Sequence, residues 1–181
     1  KAGYVHIPAW RHALINIDHL LLRMGLLIID TPGLNALGLE PELTLSFLPE
    51  AHALLFVLSA DCGVTASDFS IWNNHVRDLA TRSNTALYAI INKIDLLEDD
   101  DALYPIDVQE SLNRLARFSA QQLHLPIENV LPLSARQGAR SFVNGDDVLY
   151  ESSRLAALEE ALATSVITAR QRALKNVTLQ E

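Results

Sequence analysis

The chain has 181 residues, of which 49% are hydrophobic and 20% are charged, and its formal net charge is −8. This length and apolar content suit one well-cored globular domain and exclude a disordered chain. The negative charge disfavours a surface generally suited to nucleic acid or to simple docking on anionic lipid. The apolar runs fall far short of the roughly 20 residues of a membrane helix, and no signal peptide is visible. With one cysteine, Cys62, no internal disulfide can form, so we expect a soluble, cytoplasmic protein.

The amino-terminal part of the chain predicts a hairpin of two strands. Residues 12–17 alternate imperfectly between polar and apolar side chains, which favours an edge strand. Residues 26–29 are continuously apolar, as in a strand that is buried on both faces of a parallel sheet. Asp30 would then point into the crevice at the carboxyl edge of the sheet, and Gly33 would let the backbone approach a phosphate closely.

The next stretch predicts a loop, a strand and a helix. Residues 35–48 form a polar segment followed by a short amphipathic piece, which is either a mobile switch or an ordinary surface loop. A second buried strand is predicted at 53–58. The spacing of Thr65 and Asp68 is that of a helix start. The apolar residues that follow at steps of three and four predict the buried face of this helix: Phe69, Trp72, Val76 and Leu79.

A third buried strand is predicted at 86–91, and the motif Asn-Lys-Ile-Asp follows it at 92–95. The carboxylate of Asp95 can accept two hydrogen bonds from the N1 and N2 donors of guanine. Adenine lacks this pair of donors, so its binding would leave the acid badly paired. Lys93 can lay its aliphatic stem on the base while its ammonium group stays solvated. We expect Asn92 to act structurally and to tie this loop to neighbouring phosphate-binding segments.

A helix over 105–124 precedes a fourth strand-like run at 129–133. Ser134 and Ala135 follow that run, and such small residues allow backbone amides to reach the O6 atom of guanine. This contact would complete the discrimination against the amino group of adenine. The predicted apolar side of the helix consists of Val108, Leu112, Leu115 and Phe118.

These three motifs follow their strands in a fixed order, and over residues 12–140 they resemble the P-loop GTPases. The resemblance implies a three-layer α/β domain in which helices flank a mostly parallel sheet. It implies that Asp30 holds Mg²⁺ through a water molecule, that the Gly33 amide faces the γ-phosphate, and that GTP and GDP are substrate and product. The nucleotide-binding residues that it implies are Asp30, Thr31, Gly33, Asn92, Lys93, Asp95, Ser134, Ala135 and Arg136.

Within this superfamily, residues 30–68 are similar to a bacterial dynamin-like protein. The similarity depends on the glutamate-containing segment 42–49, the strand at 53–58 and the Ser-Ala-Asp turn at 59–61. Residues 134–136 are more similar to smaller GTPases. The dynamin resemblance implies GTP hydrolysis in the intact protein, self-association through the GTPase domain, and membrane remodelling. Lipid contacts would come from parts outside this chain, at the inner face of a membrane.

Two elements of a GTPase are not found in the sequence. They are the Gly-x4-Gly-Lys-Ser/Thr loop and the threonine of the first switch, and both would lie upstream of Lys1. No catalytic residue can therefore be assigned, and we expect this chain alone to be inactive. The alternatives are an Era-like GTPase that acts in ribosome assembly and a non-hydrolysing pseudo-GTPase scaffold. Because the chain is acidic and shows no basic RNA-binding domain, no nucleic-acid partner is expected.

The carboxyl-terminal residues 146–175 predict one long helix. We accordingly divide the chain into a GTPase domain at 1–145 and a carboxyl-terminal helix at 146–181. This helix is either the last helix of the domain or the start of a neck or stalk bundle. Its apolar stripe consists of Leu155, Leu158, Leu162, Val166 and Ala169.

Overall fold

A computed structural model describes residues 13–31, 51–78, 81, 85–97 and 107–178. The predictions for Gly33, Leu79 and the segment 35–48 lie outside these ranges. The described elements are, in chain order, helix α1 (Leu20–Arg23), strand β1 (Ala53–Ser59), helix α2 (Ala66–Ile71) with a π-helical turn (Trp72–Val76), strand β2 (Ala86–Asn92), a 3-10 turn (Ile94–Leu97), helix α3 (Val108–Leu123), a second 3-10 turn (Ile127–Asn129), strand β3 (Val130–Pro132), and helices α4 (Ala135–Asn144), α5 (Asp147–Ser153) and α6 (Leu155–Thr178).

The described strands form a parallel sheet in the order β1-β2-β3. Strand β2 lies in the centre, with Ser59 paired to Asn92 on one side and Ile91 paired to Pro132 on the other. Ala89 and Ile91 on one face of β2 and Ile90 on the other are all buried, as expected for a parallel strand that is covered on both faces. The predicted α/β class and the three strands around 53–58, 86–91 and 129–133 are confirmed.

The predicted amino-terminal hairpin is wrong for the described residues. Residues 13–19 and 26–31 adopt no regular secondary structure, and the short helix α1 lies between them. Leu27, Ile28 and Ile29 are exposed by 68%, 60% and 50%. An apolar run becomes a buried strand only when a neighbouring strand supplies ladder hydrogen bonds, and none of the described strands pairs with residues 26–29.

Helix α2 and its π-helical turn cover one face of the sheet. The predicted helix start is confirmed, since Thr65 and Asp68 form a reciprocal capping box. Trp72 is buried, its ring packs edge-on against Phe56 at 5.1 Å, and its Nε1 atom donates to the Leu123 carbonyl at 3.0 Å. Phe69, predicted to be buried, is 43% exposed. The π-helical turn that starts at Trp72 breaks the 3.6-residue period on which this prediction depended.

Helix α3 packs on the core through Val108, Leu112 and Leu115 as predicted, but Phe118 does not belong to the buried face. Phe118 is 55% exposed, whereas its neighbour Ser119 is completely buried. The side chains of adjacent helix residues point about 100° apart. Because Ser119 faces the core, its neighbour Phe118 faces the solvent. The buried face consists of Leu112, Ala116, Ser119, Ala120 and Leu123.

The carboxyl-terminal segment forms two helices rather than the one predicted over 146–175. The break lies at Arg154, whose backbone is left-handed with φ of 58°, so the right-handed helix cannot continue through it. The Ser153 hydroxyl donates to the Tyr150 carbonyl at 2.6 Å and accepts from the Leu155 amide at 3.2 Å. Leu162 of α6 is buried, as its predicted apolar stripe requires. The division of the chain near residue 145 stays a prediction.

Candidate functional site

The loops that follow the three strands meet at the carboxyl edge of the sheet. The Ala60 amide donates to the Asn92 carbonyl at 2.8 Å, and the Leu133 amide donates to the Ile91 carbonyl at 2.9 Å. The Ile94 amide donates to the Leu133 carbonyl at 3.4 Å. The second and third sequence motifs are therefore adjacent in space, at the edge where open parallel sheets bind their ligands.

Asn92 joins these two motifs through its side chain. Its Oδ1 atom accepts from the Lys93 amide at 2.7 Å and from the Ala135 amide at 3.0 Å. One acceptor thus satisfies two loop amides that no strand ladder reaches. This contact fixes the distance between the loop after β2 and the turn after β3.

Lys93 has a left-handed backbone, with φ of 67°. This conformation costs a residue other than glycine about 1–3 kcal/mol, and such residues concentrate at functional sites. The hydrogen bond from the Lys93 amide to Asn92 stabilises it. The Lys93 side chain is exposed, so its stem is accessible to a ligand and its ammonium group to water.

Asp95 is the acid at the centre of the site. Its Oδ1 atom accepts a short hydrogen bond of 2.5 Å from the Ser134 hydroxyl, and its Oδ2 atom lies 3.8 Å from Nη1 of Arg136. The Asp95 side chain is 13% exposed and the Arg136 side chain 71% exposed, so the ion pair is weak and screened by water. The hydrogen bond from Ser134 therefore orients the carboxylate more firmly than Arg136 does.

Ser134 is fully buried, and its hydroxyl both donates and accepts a hydrogen bond. Its hydroxyl donates to Asp95 and accepts from the Gln137 amide at 3.1 Å, which caps the first turn of α4. Its own amide donates to the Ser153 carbonyl at 2.9 Å. Ser134 therefore sets the position of the Asp95 carboxylate, and hydrogen bonds to Asp95, Gln137 and Ser153 in turn hold Ser134 in place.

The turn after β1 adds a second carboxylate to this edge. The nearby Ser59 hydroxyl is the main cause that lowers the pKa of Asp61, and the positive charge of Lys93 acts in the same direction. The charge of Asp61 in turn raises the pKa of the exposed Cys62 thiol. Sequence reasoning placed this turn after its strand but assigned it no role beside Lys93, because only the three-dimensional sheet brings the two loops together.

The phosphate side of the predicted site is less complete. Asp30 is exposed and Thr31 half-buried, while Gly33 lies outside the described residues. Within the described ranges, no group of three His, Cys, Asp or Glu side chains could hold a metal ion. The magnesium contact predicted for Asp30 through a water molecule stays a prediction. The described contacts bring together Asn92, Lys93, Asp95, Ser134, Ala135 and Arg136, and none of them joins Asp30 to this group.

The parallel sheet with its flanking helices fits a P-loop GTPase-like fold. No protein-family model matches the chain. It is 26% identical over 159 residues to a bacterial dynamin-like protein of Nostoc punctiforme, a match that covers 86% of this chain and 21% of that protein. It is also 29% identical over 145 residues to a probable transmembrane GTPase of Arabidopsis thaliana, described as FZO-like and chloroplastic. This match covers 79% of this chain and 13% of that protein. The predicted resemblance to dynamin-like GTPases is confirmed.

The fold is also similar to a solved structure of Era in complex with MgGDPNP and nucleotides 1506–1542 of 16S ribosomal RNA. The TM-score is 0.52 at 20% sequence identity, and the match covers 75% of this chain and 38% of that chain. The prediction that excluded a nucleic-acid partner is wrong, since a protein of this fold was crystallised with RNA. Net charge is a poor guide here, because a basic surface on another domain would not show in this chain.

The chain spans about a fifth or less of the length of the curated relatives that it matches. None of the helices in the described part of the chain is long and apolar enough to cross a membrane.

Proposed function

We propose that this chain is the guanine-nucleotide-binding domain of a dynamin-like GTPase. The observation that carries the proposal is the arrangement around Asp95, where Ser134 orients the carboxylate and Asn92 fixes the distance to the turn at Ala135. The dynamin-like relatives match along most of the chain and support the same reading.

The chemistry of guanine suits this arrangement. With Oδ1 held by Ser134, the carboxylate of Asp95 keeps a fixed orientation toward the N1 and N2 donors of the base. Lys93 would cover one face of the base with its stem, and Arg136 would move away from Oδ2 as the base enters. Adenine presents an acceptor at N1, so it would leave the acid without a partner and would be rejected.

In the intact protein we propose that GTP is hydrolysed to GDP and phosphate by attack of water on the γ-phosphate. This reaction would be coupled to self-assembly and to membrane remodelling. Mg²⁺ would accompany the nucleotide, with Asp30 as a water-mediated contact. The groups that stabilise charge on the phosphates would come from outside the described residues.

An Era-like GTPase that acts in ribosome assembly is the second candidate. The similarity of fold to Era over 75% of this chain favours it. The two candidates share the base site and differ in what stimulates turnover. GTPase activity of the intact protein should therefore be measured alone, with anionic liposomes and with an RNA oligonucleotide from the 3′ end of 16S rRNA. Stimulation by liposomes supports the dynamin proposal, stimulation by RNA supports the Era-like one, and the absence of any hydrolysis supports a pseudo-GTPase scaffold.

The substitution D95N tests the base site directly. An asparagine amide can donate to the 2-oxo group of xanthine, so the preference of the intact protein should move from GDP to XDP. Binding is measured by competition against a fluorescent nucleotide. The matched control is D18N, which makes the same chemical change in the exposed ion pair between Asp18 and Arg23. Unchanged GDP preference in D95N would refute the base-site assignment.

A further inference from the structure

A continuous path of hydrogen bonds runs from the start of α6 to the carboxylate of Asp95. The Leu155 amide donates to the Ser153 hydroxyl at 3.2 Å, and the Ser153 carbonyl accepts from the Ser134 amide at 2.9 Å. The Ser134 hydroxyl then donates to Asp95 at 2.5 Å. Consecutive hydrogen bonds in this path share a residue. A shift of the Leu155 amide must therefore either lengthen one of these bonds or move the carboxylate of Asp95.

The middle of this path is tightly confined. Ser134 and Ser153 both have 0% exposure, so water cannot replace a broken hydrogen bond at either residue. Gly138 faces this joint between α5 and α6. A Cβ atom at Gly138 would lie 3.0 Å from Leu155 Cδ2 and 3.5 Å from Ser153 Oγ. The joint therefore has little room to shift independently of α4, whose first turn Ser134 caps.

The far end of the path is anchored to other parts of the fold. The Arg154 guanidinium, which follows Ser153, donates to the Gln109 side chain on α3. Farther along α6, Glu159 accepts from the Tyr150 hydroxyl at 2.9 Å, and Ser165 lies 3.3 Å from the Tyr88 hydroxyl on β2. The joint at Arg154 is thus held on α3, and α6 is held on α5 and on the sheet, so the position of α6 sets that of Ser153.

We propose that Ser153 is a positioning residue for the guanine-recognising carboxylate and that it couples the orientation of α6 to base affinity. This inference rests on the proposed function, since it acts through Ser134 on Asp95. The Ser153 hydroxyl fixes its own backbone by bonding to Tyr150 and Leu155. The Ser153 carbonyl then holds the turn from which Ser134 contacts Asp95. A rotation of α6 would change base selectivity without any contact between α6 and the nucleotide.

The substitution S153A tests the proposal by a ratio of affinities. Inosine diphosphate lacks the 2-amino group of guanine, so the ratio of GDP to IDP affinity reports how well Asp95 is aimed. A loss of alignment should reduce this ratio roughly threefold to tenfold, as expected for one weakened charged hydrogen bond. A merely structural role would lower both affinities together and leave the ratio unchanged. The matched control is S152A, because Ser152 is the exposed neighbour whose hydroxyl bonds only to the Val148 carbonyl of its own helix.

A second variant and a measurement on the unmodified protein keep the test decisive if S153A folds poorly. G138A pushes on Leu155 from α4 without removing a hydrogen bond, and it should lower the same ratio. In the wild type, GDP should slow hydrogen exchange at the Leu155 amide, because coupling between two sites is reciprocal. D95N serves as the control that abolishes the guanine preference. If the ratio of GDP to IDP affinity is then unchanged in S153A or G138A, this inference is overturned while the proposed base site stands. Unaffected hydrogen exchange at the Leu155 amide would overturn it in the same way. A wild type without guanine preference would overturn the proposed base site and this inference together.

Discussion

Replacing Ser134 by alanine should destabilise the folded protein by about 2–4 kcal/mol. The substitution removes the cap of α4, worth about 1 kcal/mol, and the charged hydrogen bond to Asp95, worth about 1.5–3 kcal/mol. Both bonds involve a hydroxyl with no solvent exposure, so water cannot take its place. The free energy of unfolding is obtained from urea titrations followed by circular dichroism. A loss below about 1 kcal/mol would refute the view that this hydroxyl holds the carboxylate and the helix together.

The matched control is Ser119, an equally buried serine on α3. Its hydroxyl has no hydrogen-bond partner among the described residues. S119A should therefore be neutral or should stabilise the protein by about 0–1 kcal/mol, because it removes an unsatisfied polar group and introduces a better helix former. Two serines of equal burial would then differ by several kcal/mol through their hydrogen bonds alone. Equal losses in S134A and S119A would mean that volume, rather than hydrogen bonding, sets the cost.

Two further changes test the core and the contact between α5 and α6. W72F should lower the free energy of unfolding by about 1–3 kcal/mol, because the Leu123 carbonyl loses the indole donor and the smaller ring leaves space; a wild-type urea midpoint would contradict this. Burial, and then the hydrogen bond to Glu159, raise the pKa of Tyr150. The unfolded tyrosine releases its proton above pH of about 10 while the folded one retains it, so stability should fall as the pH rises through that value. Urea titrations at pH 8 and 10.5 should show a smaller fall in Y150F than in the wild type or in Y88F, which keeps the bond between Tyr150 and Glu159.

The base side of the site follows from the sequence because its residues lie directly behind strands that are themselves recognisable. The apolar runs before Asn92 and Ser134 have their partners within the described chain, so the motifs fall at one sheet edge as predicted. The run at 26–29 is equally apolar, yet it forms no strand. An apolar sequence indicates that a segment can be buried in a sheet, but it does not indicate whether a neighbouring strand is available to pair with it.

The joint at Arg154 could not be predicted for a different reason. Its sequence surroundings contain no glycine or proline, and the apolar steps of three and four continue on to Leu155 and Leu158. The break depends on the Ser153 hydroxyl, which bonds back to Tyr150 and forward to Leu155. Serine can compete with the helix backbone in this way at many positions without breaking the helix, so its local propensity carries little signal about where a break occurs.

The outer side of β1 has a consequence for handling the protein. Among the described strands, β1 forms an edge of the sheet, and its Val57 side chain is 61% exposed. The same molecule presents the apolar run 26–29 to solvent. If the run of one copy pairs with the β1 edge of a second, the contact is heterologous: it closes into a dimer or ring where the last run reaches the first copy, and it extends into a filament where it does not. Self-association of the isolated chain should therefore increase with concentration, and sedimentation would distinguish a closed dimer from open-ended species.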